Sequence, residues 1–177
     1  TSPTQDLFPV LDRGEFYEFE TREDFTIQAT KPVMVGQFLA AEDAPNPNFV
    51  GVTPGNDGQP GDAGIGDPAF ILLVPIEQYR DSYVLFIPEA YEQDYVNVVV
   101  PHSVEVLLDG KVIPKSDFEP VSAEYRVARL LLEDGKHTLV AEEPFGAIAY
   151  GFDDYVSYGY PGGLDLKDLG LVNETLE

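Results

Sequence analysis

The chain has no cysteine, which excludes disulfide bonds, thiolate nucleophiles and cysteine-ligated zinc together and leaves the redox compartment unreadable. It is poor in basic residues: ten Lys and Arg stand against 32 Asp and Glu, for a formal charge of -22. A polyanion such as nucleic acid is repelled by such a chain and is not expected as a partner. Long apolar runs are missing too. None approaches the roughly 18 residues of a membrane-spanning helix, and the opening TSPTQDLF lacks the basic-then-apolar pattern of a secretory leader, so the chain reads as a mature protein or an excised domain. Its two histidines, His102 and His137, show no HExxH spacing, no GxSxG motif occurs, and GVTPGNDG lacks the lysine of a phosphate-binding loop. His137 follows an Asp-Gly turn and His102 follows Pro101 between two strands, so both are read as structural. Paired carboxylates of the glycosidase kind carry no signal among so many acids.

What is present is ordinary for a folded domain. Apolar residues make up 44%, and 177 residues suffice for one sizeable core. The acidic residues are spread along the chain, as suits a solvated surface or, alternatively, a cation-binding role. Fifteen prolines and sixteen glycines cut the sequence into short stretches rich in Val, Ile, Tyr and Phe, a pattern of strands. Residues 15–21 and 24–30 alternate as half-buried strands do, whereas 32–40 and 69–75 are continuous apolar runs that predict central strands covered on both faces. Further strands are expected at 82–88, 95–101, 103–113, 125–143 and 145–152, with a turn within PEAYEQDY. Asp109-Gly110 and Asp134-Gly135 each predict a hairpin. The class that follows is all-β, an antiparallel β-sandwich or jelly-roll-like domain over 1–163, with 164–177 as a tail or linker.

Residues 42–67, EDAPNPNFVGVTPGNDGQPGDAGIGD, are too rich in Gly, Pro and Asp for a covered strand and predict one long loop. Calcium takes six to eight oxygen ligands, and Asp43, Asn56, Asp57, Asp62 and Asp67 supply carboxylates and an amide on a glycine-flexible backbone. The spacing fits no EF-hand, and a plain solvated loop is the alternative. Asp153-Asp154 is a weaker second candidate. No cofactor is required by any motif.

Residues 135–163 hold four tyrosines, two phenylalanines and six glycines, most of them in the closing run. Phe145, Ile148, Tyr150 and Phe152 are expected to fill the core, with Gly146, Ala147, Ala149 and Gly151 allowing close backbone approach. Tyr155, Tyr158 and Tyr160 either join that packing or form a platform for a protein or glycan ligand.

The stretches 66–101, 104–113 and 132–163, with TKPVMVGQFL upstream, carry Gly-Asp-Pro, Pro-x-x-Gln, Leu-Asp-Gly, Gly-x-His, Pro-Phe-Gly, Tyr-Gly-Phe and Ser-Tyr-Gly-Tyr-Pro in that order. In this they resemble the N-terminal domain of the IgGFc-binding protein family, found in animal mucus proteins and in bacterial surface or secreted proteins. The resemblance, of a bacterial kind, implies an extracellular or cell-surface β-rich module acting in adhesion or binding without catalysis. The chain departs from animal members in its lack of cysteine, and immunoglobulin binding is not carried over with the name. Two alternatives stand beside this expectation: a structural subunit that self-associates through the tail 164–177, and a carboxylate-based glycan hydrolase.

Overall fold

The computed structural model describes residues 10–21, 23–31, 33–39 and 66–166. Within them lie ten strands, all paired antiparallel, and two short 3-10 turns at Ile76–Gln78 and Lys115–Asp117. The organising element is β9 (Gly135–Asp153), 19 residues long, which serves two sheets in succession. Its first half pairs with β3 (Arg80–Ile87) on one side and β5 (Val106–Leu108) on the other, and β5 carries β6 (Lys111–Val112). Its second half pairs with β4 (Gln93–Pro101) and β10 (Val156–Pro161), and β4 continues to β8 (Tyr125–Leu132) and β7 (Phe118–Pro120). The order is thus β6-β5-β9-β3 in a small sheet and β7-β8-β4-β9-β10 in a large one. The partners of β9 change between Ala141 and Gly146, across Glu142, Glu143 and Pro144. A proline's missing N–H is tolerated where a strand leaves one ladder for the next.

The sheets close on a single core, as alternation along each strand requires. Tyr83, Leu85 and Ile87 of β3, Val106 of β5 and Leu139 and Ala141 of β9 face Val96, Val98 and Val100 of β4, Ala128 and Leu132 of β8 and Phe145, Ala147 and Ala149 of β9. Fully burying an aliphatic side chain of this size is worth about 1.5–3 kcal/mol. An all-β sandwich is therefore the observed class, built as one curled sheet folded about β9.

Several local expectations change. Ile148, Tyr150 and Phe152 do not fill the core: they lie half-buried on the opposite face of β9, and the inward positions after Phe145 belong to Ala147, Ala149 and Gly151. The side-chain period of two forces this, since Phe145 and Ile148 differ by an odd step. Asp109-Gly110 is a two-residue hairpin turn, with φ of 50° and 76° and Leu108 opposite Lys111, the left-handed pair that a type I′ turn needs. Asp134-Gly135 is not a hairpin, although Gly135 has φ 109°: β8 pairs with β4 and β7, while β9 begins in the other sheet beside β3. The chain crosses between sheets there. The turn within PEAYEQDY is present, at Glu89-Ala90.

Residues 15–21 and 24–30 join no ladder among the described residues. Phe19 instead packs edge-on against Phe25 at 5.1 Å, and Asp24 reaches across the chain to pair with Arg129 of β8. Among the described residues of 32–40 and 69–75, β1 (Gly36–Phe38) and β2 (Phe70–Leu72) are the strands. They form a separate two-stranded ribbon rather than central strands, with Phe38 and Phe70 exposed and Ile71 alone buried among the six. Ile71 seats the ribbon on β10, where a Cβ on Gly159 would lie 2.2 Å from its Cδ1. Glycine at 159 makes that approach possible.

Candidate binding surface

The outer face of the small sheet is apolar and open. With Tyr83, Leu85 and Ile87 pointing inward, β3 turns Val84 and Phe86 outward, and these are 64% and 67% exposed. Val140 of β9 sits beside Leu107 of β5, and Leu107 beside Val112 of β6. Val140 and Val112 are 47% and 53% exposed. Val84 and Phe86 face Thr138 and Lys136 across the ladder, and the Val140–Leu107–Val112 row lies diagonal to Val84, so four strands carry outward apolar side chains on one face, of the kind that marks an interaction surface when it is not covered.

One end of this sheet is fixed by a histidine. Asp109, in the β5–β6 turn, accepts hydrogen bonds from the Thr138 backbone N–H at 2.8 Å and its hydroxyl at 3.2 Å, and its other carboxylate oxygen lies 2.7 Å from His137 Nδ1. His137 Nε2 lies 2.7 Å from the Glu133 carbonyl, just before β9 starts. Burial opposes charge on His137, but the Asp109 carboxylate and the Glu133 carbonyl outweigh it and raise its pKa above the ordinary 6.5. Asp109 is lowered from 3.8, first by His137 and then by the Thr138 N–H. The pair ties the hairpin to the sheet crossing, a structural role for His137. His102 Nε2 meets the Ser122 carbonyl at 3.0 Å, also within the fold.

The three tyrosines proposed from sequence as a platform are divided. Tyr158 and Tyr160 stack with ring centroids 6.0 Å apart, but both hydroxyls are committed. Tyr158 donates to Asp94 Oδ1 at 2.6 Å, and Tyr160 donates to the Phe86 carbonyl of β3 at 2.8 Å. Tyr155 sits apart in the β9–β10 turn, 63% exposed at φ 54°. Asp94 itself is only 3% exposed. Burial raises its pKa despite the Tyr158 hydroxyl, which favours the ionised form, and burial together with the Asp94 carboxylate raises that of Tyr158. Gly151 leaves room for the contact: a Cβ there would come within 2.4 Å of both Asp94 Oδ1 and Tyr158.

On the outer face of the large sheet, Tyr95 and Tyr150 stack at 5.5 Å, with Phe152 edge-on to Tyr150 at 5.7 Å. Their hydroxyls donate to Gln93 Oε1 and Asn97 Oδ1. These rings are half-buried, against the open exposure of Val84 and Phe86. Sequence reasoning missed the small-sheet face. The signal was available in the unbroken apolar run YVLFI, which in an edge strand must show every second residue to solvent.

Of the calcium candidates, Asp43, Asn56, Asp57 and Asp62 lie outside the described residues. Asp67 is exposed, and its backbone N–H donates to Ser157 Oγ at 2.8 Å, pinning the end of the 42–67 segment to β10. The Gly66 N–H adds a bond to the Asp153 carbonyl at 2.9 Å. Among the described residues no three His, Asp or Glu side chains group as a metal site, and no helix is long and apolar enough to cross a membrane.

A family model described as IgGFc binding protein matches residues 2–151. The chain therefore belongs to the IgGFc-binding protein family. The match ends within β9, so β10 with Tyr158 and Tyr160 lies beyond it. Searches of curated proteins and of solved structures gave no match.

Proposed function

We propose that this member of the IgGFc-binding family is a non-catalytic extracellular or cell-surface module that binds a protein ligand on the outer face of its small sheet. The observation that carries the reading is the exposure of Val84, Phe86, Val140 and Val112 on one face of the small sheet. Covering what remains exposed of Phe86 and Val84 would stabilise a complex by about 1–2 kcal/mol each before the costs of association. Family membership supports a binding role, and the absence of cysteine leaves the module free of disulfide chemistry wherever it works.

The test measures surface-plasmon binding to two named probes, an immunoglobulin Fc fragment and a mucin glycopeptide, with the parent and with Val84→Ser plus Phe86→Ser. Binding by the parent that the double variant loses supports the reading. Binding that the variant retains moves the site elsewhere on the domain. Turnover of chromogenic glycosides that one carboxylate substitution abolishes would replace the binding module with the hydrolase.

Calcium belongs to the same proposal, held by Asp43, Asn56, Asp57, Asp62 and Asp67. Its support is the donor chemistry of the 42–67 segment and the fixed position of Asp67 beside Ser157. Millimolar calcium then raises the unfolding midpoint above an ionic-strength-matched sodium control, and Asp57→Asn plus Asp62→Asn removes the difference. Equal midpoints dismiss the site.

A further inference from the structure

The outer edge of β3 is closed at its Phe86 end by a tyrosine hydroxyl and open before it. At the Arg80 end the Tyr83 hydroxyl accepts from the Arg80 N–H at 2.9 Å and donates to the Phe145 carbonyl, on the β9 side of the strand. At the other, Tyr160 satisfies both backbone groups of Phe86, donating to its carbonyl at 2.8 Å and accepting from its N–H at 3.2 Å. Phe86 therefore turns its N–H and C=O away from β9. In an antiparallel ladder residues two apart share that orientation, and the register from Ser82 to Ile87 is continuous. Ser82 and Val84 thus also present their main-chain donors and acceptors outward, and no backbone partner meets them among the described residues. Thr138, opposite Val84, confirms the geometry from the other side, since its carbonyl accepts from the Asp109 N–H in the β5–β6 turn rather than from β3.

These two residues line a groove whose remaining walls are Arg80, Tyr83, Gly162, Gly163 and Leu164. Gly162 lets its wall pack closely on the core, since a Cβ there would come within 2.9 Å of both Tyr83 and Leu85, and Gly163 has φ 148°. The groove adjoins the exposed Val84 and Phe86 side chains.

We infer that the edge of β3 at Ser82 and Val84 accepts a short extended segment of the protein ligand as an added strand of the small sheet. The inference rests on the binding reading above and names its mode. Main-chain bonds to Ser82 and Val84 hold the segment, and its alternate side chains pack beside Val84 on the outer face. The segment is apolar with flanking basic residues: Arg80 lines one end of the groove, but the chain's charge of -22 and the exposed Asp81 and Glu89 near the two ends of β3 repel an acidic strand, a second copy of itself included.

The test is amide hydrogen exchange by NMR with two acetylated nine-residue peptides, one of alternating Val and Thr flanked by lysines, the other flanked by glutamates. In the free protein the Ser82 and Val84 amides exchange faster than those of Tyr83 and Leu85. The lysine peptide is expected to slow the Ser82 and Val84 amides at least tenfold, and the glutamate peptide to leave them unchanged. Val84→Pro removes the outward donor at a position where an edge strand tolerates proline, and abolishes the protection; Val84→Ala, with its donor intact, retains it. Slow Ser82 and Val84 amides in the free protein, or no protection at millimolar lysine peptide, overturn the inference. Shifts confined to the side chains of Phe86, Val112 and Val140, without amide protection, overturn strand addition while leaving a ligand on the outer face. Protection by both peptides alike overturns the charge assignment.

Discussion

The Tyr160 hydroxyl and the Phe86 backbone close on each other twice, one bond donated at 2.8 Å and one accepted at 3.2 Å. A strand at the edge of the large sheet thereby caps a strand at the edge of the small one. Unpaired edges recruit other chains, and here one side chain occupies the point where the two sheets meet.

Tyr160→Phe is expected to lower stability by about 1 kcal/mol, the net value of hydrogen bonds whose partners can turn to water instead. The urea midpoint should fall with an unchanged slope, and the Phe86 amide should exchange faster. An unchanged Phe86 amide would mean that the hydroxyl does not cap the edge in solution.

The His137–Asp109 pair gives stability a defined pH window. His137 has a raised folded pKa, so its contribution is complete below 6.5 and fades as pH rises through the folded value. Asp109 has a lowered one, so its contribution is complete above 3.8 and fades as pH falls through its folded value. The difference in denaturant midpoint between the parent and His137→Gln should therefore be largest from about pH 4 to 6.5 and shrink toward pH 9. A difference that grows with pH contradicts the pairing. NMR titration of the ring should give a midpoint above 6.5.

Two glycines are required for different reasons. Gly110 has φ 76° with nothing within 4 Å of a Cβ, so Gly110→Val should cost about 1–3 kcal/mol through backbone strain, and Gly110→Asn much less. Gly159 lacks that constraint but lies under Ile71. Gly159→Ala should cost about 1–3 kcal/mol by overpacking, and Ile71→Val should recover part of it. Strictly additive losses in that double variant would show that the ribbon does not rest on β10.

Arg126 is 8% exposed and has no carboxylate partner among the described residues. One guanidinium nitrogen donates to the Val104 carbonyl at 2.8 Å, the group lies 4.2 Å from the Phe118 ring centroid, and Nε has no partner among the described residues. Arg126→Met should retain more stability than Arg126→Lys, because a buried ammonium is costlier to desolvate than a guanidinium and cannot lie flat on the ring. The thermal midpoints of the two variants decide it; a more stable lysine variant would show that charge, not packing, holds the site.

Several features were legible in the residues themselves. Asp109-Gly110 encodes its turn because few dipeptides accept two successive positive φ values, and the short runs of β-branched and aromatic residues at 82–88 and 95–101 marked β3 and β4. Family membership could be read from the ordered motifs of 66–163. The absence of cysteine and the excess of acids removed whole classes of chemistry without reference to any fold.

Tertiary structure decided what those local signals cannot carry. Asp134-Gly135 has the same dipeptide as the true hairpin, yet the strands on either side belong to different sheets, because β9 finds its partners in β3 and β5, nearly fifty residues or more away in the first case and about thirty in the second. The phase of 145–152 was equally hidden: a strand with apolar residues at every position can bury either set, and the choice of Ala147 and Ala149 over Ile148 and Tyr150 was made by the space left between two packed sheets. Tyr158 and Tyr160 owe their fixed hydroxyls to Asp94 and Phe86, more than sixty residues distant. Residue type and local spacing determine which backbone shapes are cheap; which of those shapes meet, and which apolar face is left uncovered, depends on long-range pairing that no short stretch of sequence encodes.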